Sequence, residues 1–154
     1  MELKHHILIG FVASYILIYF FEIPLKVGIV IFLSSVLIDF DHYIWYGAEF
    51  KDWNPLKAVK WYQEYGKKYH CLPKREKEKY RYGVFIFHGI LFWLLLAVFG
   101  FFVHRLFFWI LAGIAIHILS DQITLKILRE PFYVKFSALY TWKRNKNKKK
   151  LSNL

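Results

Sequence analysis

The sequence is poor in cysteine and in acidic residues. It has one cysteine and 11 Asp and Glu against 22 Lys and Arg, so the formal net charge is +11. The single cysteine, Cys71, excludes an internal disulfide and leaves no four-cysteine zinc pattern. Internal repeats are also missing, and the only low-complexity piece is "KRNKNKKK" at 143–150. A disulfide-stapled scaffold and a thiolate zinc domain are therefore both excluded.

Apolar and aromatic side chains are abundant, at 57% and 21% of residues. The uncharged run 83–103 is long enough to cross a bilayer, which takes about 20 apolar residues. Shorter apolar runs occupy 7–21, 27–38 and 107–119. No small-residue cleavage site follows the first run, so we expect a retained helix rather than a signal peptide. The sequence thus predicts an all-α polytopic membrane protein whose four transmembrane helices form one domain over 1–142.

Basic residues are concentrated in two places, the central loop at about 44–83 and the chain from Lys126 onward. The other two connections between spans carry only Lys26 and Arg105. With four spans, the N-terminus, the central loop and the tail share one side, and the positive-inside rule makes that side the cytoplasm. We therefore expect a multi-pass protein of the inner (cytoplasmic) membrane with both termini in the cytoplasm.

The central loop is too long to lack secondary structure. Asn54 and Pro55 are typical of a helix cap and first turn, and the apolar spacing from Leu56 to Tyr65 predicts an amphipathic helix. This helix either lies in the membrane interface or packs as a cap over the bundle. The tail 143–154 is predicted to be disordered. Its basic residues suit it to binding anionic membrane lipid or to fixing the topology of the protein in the membrane. Nucleic acid is a weaker candidate partner, because the membrane beside the tail is itself anionic.

Ionisable side chains occur at the cytoplasmic end of every predicted span. Such residues are costly in a membrane and indicate a functional site by default. They are His5 and His6 before the first span, Asp39, Asp41 and His42 after the second, His88 at the start of the third, and His117 and Asp121 at the end of the fourth. Four separate segments therefore carry their unusual residues at one depth.

The spacing of these residues suits a metal ion. His117 and Asp121 share a helix face at i,i+4, as do Asp39 and His42 at i,i+3. Asp41 lies on a different helix face from Asp39 and His42 unless the helix has ended. We therefore expect it to act as a general base or as a partner that orients a histidine. One of His5 and His6 is expected to be a ligand. Imidazole and carboxylate without thiolate favour a catalytic zinc, and manganese stays an alternative.

Each residue also has a purely structural interpretation. Asp39 or Asp41 can pair with loop lysines, His88 can bond a carbonyl, and His117 with Asp121 can form a simple hydrogen bond. The alternative function is accordingly a non-catalytic membrane scaffold or metal-binding protein with a structural His/Asp cluster. Metal transport is a weaker candidate function, because the far side of the membrane carries only one acidic residue, Glu22, and one histidine, His104.

The assembled pattern resembles the YdjM-type, LexA-regulated family of membrane-bound metal-dependent hydrolases. That family has an early His, a D-x-D-H, an H-R-G-x-T-H-S and an H-x-x-x-D, which correspond here to His5 or His6, to 39–42, to His88 and to His117 with Asp121. The chain departs from the third motif, where only the second histidine remains. The family is distantly similar to zinc-dependent phospholipases C, so the resemblance implies hydrolysis of a phosphoester, such as a lipid headgroup.

Overall fold

The computed structural model describes residues 3–127 and 137–150. Within them the chain forms eight helices and no β-strand, apart from an isolated bridge between Tyr80 and Lys149. The helices are α1 (Leu3–Phe20), α2 (Leu25–Leu37), α3 (Phe40–Phe50), α4 (Pro55–His70), α5 (Lys74–Lys77), α6 (Ile90–Phe102), α7 (Leu106–Ile127) and α8 (Ala138–Asn145). The prediction of an all-α protein is confirmed.

Among the described residues, three helices are long and apolar enough to cross a membrane: Leu3–Phe20, Leu25–Phe50 and Leu106–Ile127. The predicted helix over 83–103 is shorter than expected, because only Ile90–Phe102 is helical. Its 13 residues rise about 20 Å, less than the roughly 30 Å hydrocarbon core. The preceding residues stay non-helical because their backbone bonds to other segments, as when the Phe87 N–H donates to Asp41 Oδ2.

The helix Leu25–Phe50 is interrupted at its middle, where α2 gives way to α3. The N–H groups of Asp39, Asp41 and His42 donate to the carbonyls of Val36, Ile38 and Asp39, three residues earlier. This is the bonding of a 3₁₀ turn, which is tighter than an α-helix. The interruption brings both aspartates to the interior of the bundle, with Asp41 only 4% exposed.

Helices α1, α2, α6 and α7 pack into one bundle around a small apolar core. Ile38, Leu96, Ile114 and Ile118 form its buried centre. Large apolar side chains cover the outside of the same helices, for example Leu8 and Leu119, which are 60% and 65% exposed. An apolar exterior of this kind suits lipid, where helices associate through close packing of small residues.

Gly113 allows α7 to approach α2. A Cβ added there would overlap the Ser34 hydroxyl and the backbone carbonyl oxygen of Ile31. We expect Gly113→Ala to lower the free energy of unfolding by about 1–3 kcal/mol, because a backbone oxygen cannot rotate away. Thermal unfolding in detergent micelles measures this, with the exposed Ala115→Leu as the control. A wild-type melting temperature in Gly113→Ala would contradict the close contact.

The central segment forms α4, which packs on α3. Asn54 accepts hydrogen bonds from the Leu56 and Lys57 N–H groups, as a helix cap does. Trp61 packs on Phe50 of α3, and the Tyr62 hydroxyl donates to the His42 carbonyl at 2.9 Å. Burial raises the pKa of Tyr62, so this hydroxyl keeps its proton. α4 packs on α3, and Leu56 at its edge is exposed.

The basic tail is ordered over more of its length than predicted. Residues 143–145 belong to α8, and the following turn reaches Lys149, whose N–H donates to the Lys79 carbonyl. Arg144 stacks on the Tyr82 ring at 3.8 Å, and the Asn145 side chain bonds both backbone groups of Tyr82. These tertiary contacts hold the segment despite its charge. The remaining predicted tail, 151–154, lies outside the described residues.

Candidate metal centre

Histidines and aspartates from four segments meet inside the bundle. They are His6 on α1, Asp39, Asp41 and His42 at the junction of α2 and α3, His88 before α6, and His117 and Asp121 on α7. The histidines His6, His88 and His117 are at most 2% exposed. Asp39 is 21% exposed, so the cluster is closest to the surface on its side. The convergence that four separate motifs predicted is present in the structure.

Two of the histidines have their tautomer set by neighbouring oxygens. His117 Nδ1 lies 2.8 Å from the Ser35 carbonyl oxygen, which can only accept, so Nδ1 carries the proton. The Ser120 hydroxyl donates to the His117 carbonyl and therefore accepts from His6 Nδ1 at 3.2 Å. Each ring thus presents an Nε2 lone pair when neutral, which is the form that binds a metal.

Asp41 has the same effect on His88. Its Oδ2 accepts from His88 Nδ1 at 3.0 Å and from the Phe87 N–H at 3.1 Å. Its Oδ1 lies 3.0 Å from His42 Nδ1. A carboxylate behind a histidine fixes the ring and raises its basicity as a ligand. Of the two roles predicted for Asp41, this geometry favours the orienting partner over the general base.

Donor atoms of Asp39, His88, His117 and Asp121 face one another at short distances. His88 Nε2 and His117 Nε2 are 3.3 Å apart. Asp39 Oδ1 lies 3.4 Å from His117 Nε2 and 3.7 Å from His88 Nε2, and Asp121 Oδ2 lies 3.5 and 3.8 Å from the same atoms. Ligands of tetrahedral zinc, at about 2.0–2.2 Å from the ion, are about 3.3–3.6 Å apart. The Asp39, His88 and His117 atoms, 3.3–3.7 Å apart, are therefore spaced closely enough to hold a divalent ion of that size.

Two predicted ligands take other positions. His5 is exposed on α1 and belongs to none of the His/Asp groups found among the described residues, so His6 is the member of the pair that enters the cluster. His42 lies at the rim, with Nδ1 3.3 Å from Asp39 Oδ1 and its ring stacked on Phe85. With Asp41 and His88 it forms another of the His/Asp groups, among the described residues, that could hold an ion.

Replacing Asp41 tests its orienting role. We expect Asp41→Asn to weaken metal binding by about 10–100-fold, the usual cost of losing the partner of a ligating histidine. Titration of the metal-free protein with Zn²⁺ measures the effect. The control is Asp52→Asn, which removes the same charge from an exposed ion pair with Lys57. Equal affinities in the two variants would contradict the role of Asp41.

A cavity of about 310 Å³ lies beyond the rim of the cluster. Phe85 stacks on His42 and contacts the edge of Trp45, which lines the cavity. Arg81 and Lys146 line it as well, and Arg81 faces Glu49 at 4.0 Å. The cavity therefore combines aromatic walls with a net positive charge, and one aromatic pair separates it from the histidines.

Ser35, Ser120 and Phe87 contribute to the site although their residue types gave no signal in the sequence. Ser35 and Phe87 act through backbone groups, which any residue supplies. Ser120 precedes Asp121, and a serine there is also a common helix-packing residue.

Comparisons with protein-family models, with curated proteins and with solved structures gave no match to this chain. Its function must therefore be argued from the site itself.

Proposed function

We propose that this protein is a membrane-embedded, metal-dependent hydrolase that acts on a phosphoester. The observation that carries the proposal is the group of Asp39, His88 and His117, whose nitrogen and oxygen atoms are 3.3–3.7 Å apart, with Asp121 Oδ2 3.5 Å from His117 Nε2. Lone pairs and carboxylates that face one another repel unless a proton or a metal ion lies between them. A buried arrangement of this kind can hold a metal ion, and its mixture of imidazole and carboxylate favours zinc, with manganese as the alternative.

The residues divide between holding the ion and supporting its ligands. Asp39, His88, His117 and Asp121 would hold a divalent ion, which supplies Lewis acidity and acidifies a water. Asp41 keeps His88 Nε2 directed at the centre, and Ser35 does the same for His117. His6, His88 and His117 are buried by the surrounding helices. Asp39 and His42, 21% and 19% exposed, form the approach for substrate.

A phosphoester substrate is supported by the charges near that approach. Arg81 and Lys146 line the neighbouring cavity and suit the phosphate of a ligand, while Trp45 and Trp142 suit the membrane interface. The resemblance to the YdjM-type hydrolases points the same way. We therefore favour a lipid headgroup presented at the cytoplasmic face of the cytoplasmic membrane, the side to which the basic loop and tail assign the cluster.

A second function has an observation in its favour. The candidate ligands come from four separate segments of the chain, so an ion held among them would tie those segments together. The alternative is therefore a membrane scaffold in which the ion joins α1, α2, α7 and the segment before α6. This alternative shares the metal and differs in having no turnover.

Elemental analysis and a hydrolysis assay distinguish the two functions. The protein is purified in detergent, its metal content is measured, and it is then tested on phospholipid vesicles and on a generic phosphodiester. Hydrolysis that is abolished by a chelator and restored by Zn²⁺ or Mn²⁺ supports the enzyme. A bound metal without hydrolysis supports the scaffold, and a protein without affinity for either ion would overturn both.

A further inference from the structure

We infer that the cavity beyond the rim of the cluster binds the headgroup of an ethanolamine phospholipid, with Arg81 and Lys146 at its phosphate and Glu49 at its ammonium group. The cavity is a site of its own, because the rings of Phe85 and Trp45, with centroids 6.4 Å apart, lie between it and the histidines. The inference goes beyond the proposed function, since this ligand would bind whether or not the metal centre is active.

Three segments of the chain form the walls of this cavity of about 310 Å³. Helix α3 contributes Trp45 and, one turn later, Glu49, and the other two walls are the segment before α6 and the end of α8. The Asn145 side chain bonds both backbone groups of Tyr82, which holds α8 against the segment before α6. Ligand pockets have volumes of about 300–1,000 Å³, so this cavity suits a headgroup rather than a whole lipid.

Glu49 is an acidic group that lacks a hydrogen-bond donor at one oxygen. Its side chain is 13% exposed, and its Oε1 is buried without a hydrogen-bond partner among the described residues. Its Oε2 lies 4.0 Å from Arg81 Nη1, which is longer than a hydrogen bond. A carboxylate can only accept, and a buried acceptor without a donor costs free energy. The carboxylate can turn about its last bond, so either oxygen can meet a donor that a ligand brings into the cavity.

The positive charges at the cavity belong to Arg81 and Lys146. Arg81 Nε donates to the Lys148 carbonyl at 3.2 Å, which fixes the guanidinium beside the cavity. Lys146 Nζ lies 4.7 Å from the centre of the Trp142 ring. Guanidinium and ammonium groups both bind phosphate oxygens. Two positive charges beside one negative charge therefore suit a ligand that carries a phosphate at one end and a cation at the other.

The carboxylate of Glu49 selects a primary ammonium over a quaternary one. The ammonium of ethanolamine carries N–H donors and a positive charge, so it can form a charge-assisted hydrogen bond with Glu49. Choline has the charge but no N–H, and it would leave the buried oxygen without a donor. A hydroxyl headgroup has a donor but no charge to offset the carboxylate. Of these three kinds of headgroup, ethanolamine alone supplies both.

The position of α8 indicates that the ligand is a membrane lipid rather than a soluble phosphate ester. Trp142 lines the cavity and is 55% exposed, and Leu139, one turn earlier on the same helix, is 59% exposed. An exposed tryptophan beside a lysine is typical of the membrane interface, where the headgroups of phospholipids lie. Acyl chains attached to a headgroup in the cavity can therefore lie along these side chains and the apolar exterior of the bundle.

The affinities for two short-chain lipids test the inference without measuring activity. The full chain in detergent is titrated with dioctanoyl phosphatidylethanolamine and with dioctanoyl phosphatidylcholine, and native mass spectrometry identifies the intact bound lipid by its mass. We expect the wild type to bind the ethanolamine lipid about 10–100-fold more tightly, the effect of one hydrogen bond to a charged group. Glu49→Gln keeps the side chain's size and should bind both lipids equally. Glu64→Gln, which changes an exposed acid on α4, should keep the wild-type preference.

Two further measurements test the phosphate end and the source of the ligand. Arg81→Gln should weaken the binding of both lipids by a similar factor, about 10-fold or more, and leave their ratio unchanged. Glycerophosphoethanolamine, the same headgroup without acyl chains, should bind the wild type at least about 10-fold more weakly than the lipid, because it buries no apolar chain. Equal binding of the two would overturn the assignment to a lipid.

The outcomes separate this inference from the proposed function. Equal affinity of the wild type for the two lipids, or a preference that persists in Glu49→Gln, would overturn the inference. Wild-type affinity for both lipids in Arg81→Gln would overturn the role of Arg81. A preference for ethanolamine lipid that depends on Glu49, in protein that neither binds metal nor hydrolyses lipid, supports this inference and refutes the proposed function. Hydrolysis without any such preference supports the proposed function and overturns this inference.

Discussion

Asp121→Asn and His117→Ala, alone or together, are expected to lose bound metal and phosphodiester hydrolysis. Asp121 faces His6 through Oδ1 and His117 through Oδ2, and His117 belongs to two of the His/Asp groups that could hold an ion. Losing a direct ligand should weaken metal binding by more than about 100-fold, the upper end of what the loss of an outer partner costs. Elemental analysis after dialysis and a hydrolysis assay under saturating substrate measure the two losses.

The control for these variants is His104→Ala. His104 is an exposed histidine in the turn between α6 and α7. It precedes α7, whereas His117 lies well inside that helix, so replacing His104 should leave the metal content unchanged. Asp121→Asn keeps the volume of the side chain, so helix content and elution from a sizing column should match the wild type. A double variant that retains metal at full stoichiometry would refute the site.

Removing the metal is expected to destabilise the whole bundle. The ligands come from α1, the α2–α3 junction, the segment before α6 and α7, so an ion bound there joins four segments of the chain. A ligand present at about 1,000 times its Kd stabilises the folded state by about 4 kcal/mol. For a chain of this size that corresponds to a fall in Tm of roughly 10 °C on chelation.

Thermal unfolding in detergent, with and without chelator and then with Zn²⁺ restored, measures this effect. Asp121→Asn provides the matched control, since it should melt at one temperature under all three conditions. A wild-type Tm that does not respond to chelator, in protein shown to contain metal beforehand, would mean that the ion is bound outside the bundle's packed interior.

The site residue His88 was predicted correctly from the sequence, whereas the start of α6, the helix that follows it, was not. His88 was identified as a site residue from its place in an apolar run, yet that run was also expected to be helical from residue 83. Apolar composition cannot distinguish a helix from an extended segment that is buried in protein. The Phe87 N–H bonds Asp41, 46 residues away in the chain, and such a bond has no local signature.

Which of His5 and His6 enters the site also could not be predicted from the sequence. Both precede an apolar run, and only the rotation of α1 against α7 decides which one is buried. Gly10 of α1 lies close to α2, where an added Cβ would meet the Ser35 hydroxyl. His6 then faces Ser120 and Asp121, while His5 is exposed.

By itself the sequence determined the all-α class, the apolar segments and the histidines and aspartates that interrupt them. This was possible because burying charged side chains and imidazoles in apolar helices costs free energy, so such residues stand out in the sequence alone. The tertiary structure alone decided which nitrogen meets which oxygen. The tautomers depend on the Ser35 carbonyl and the Ser120 hydroxyl, and the ring stacking depends on helix rotation, so these features arise only when distant segments pack together.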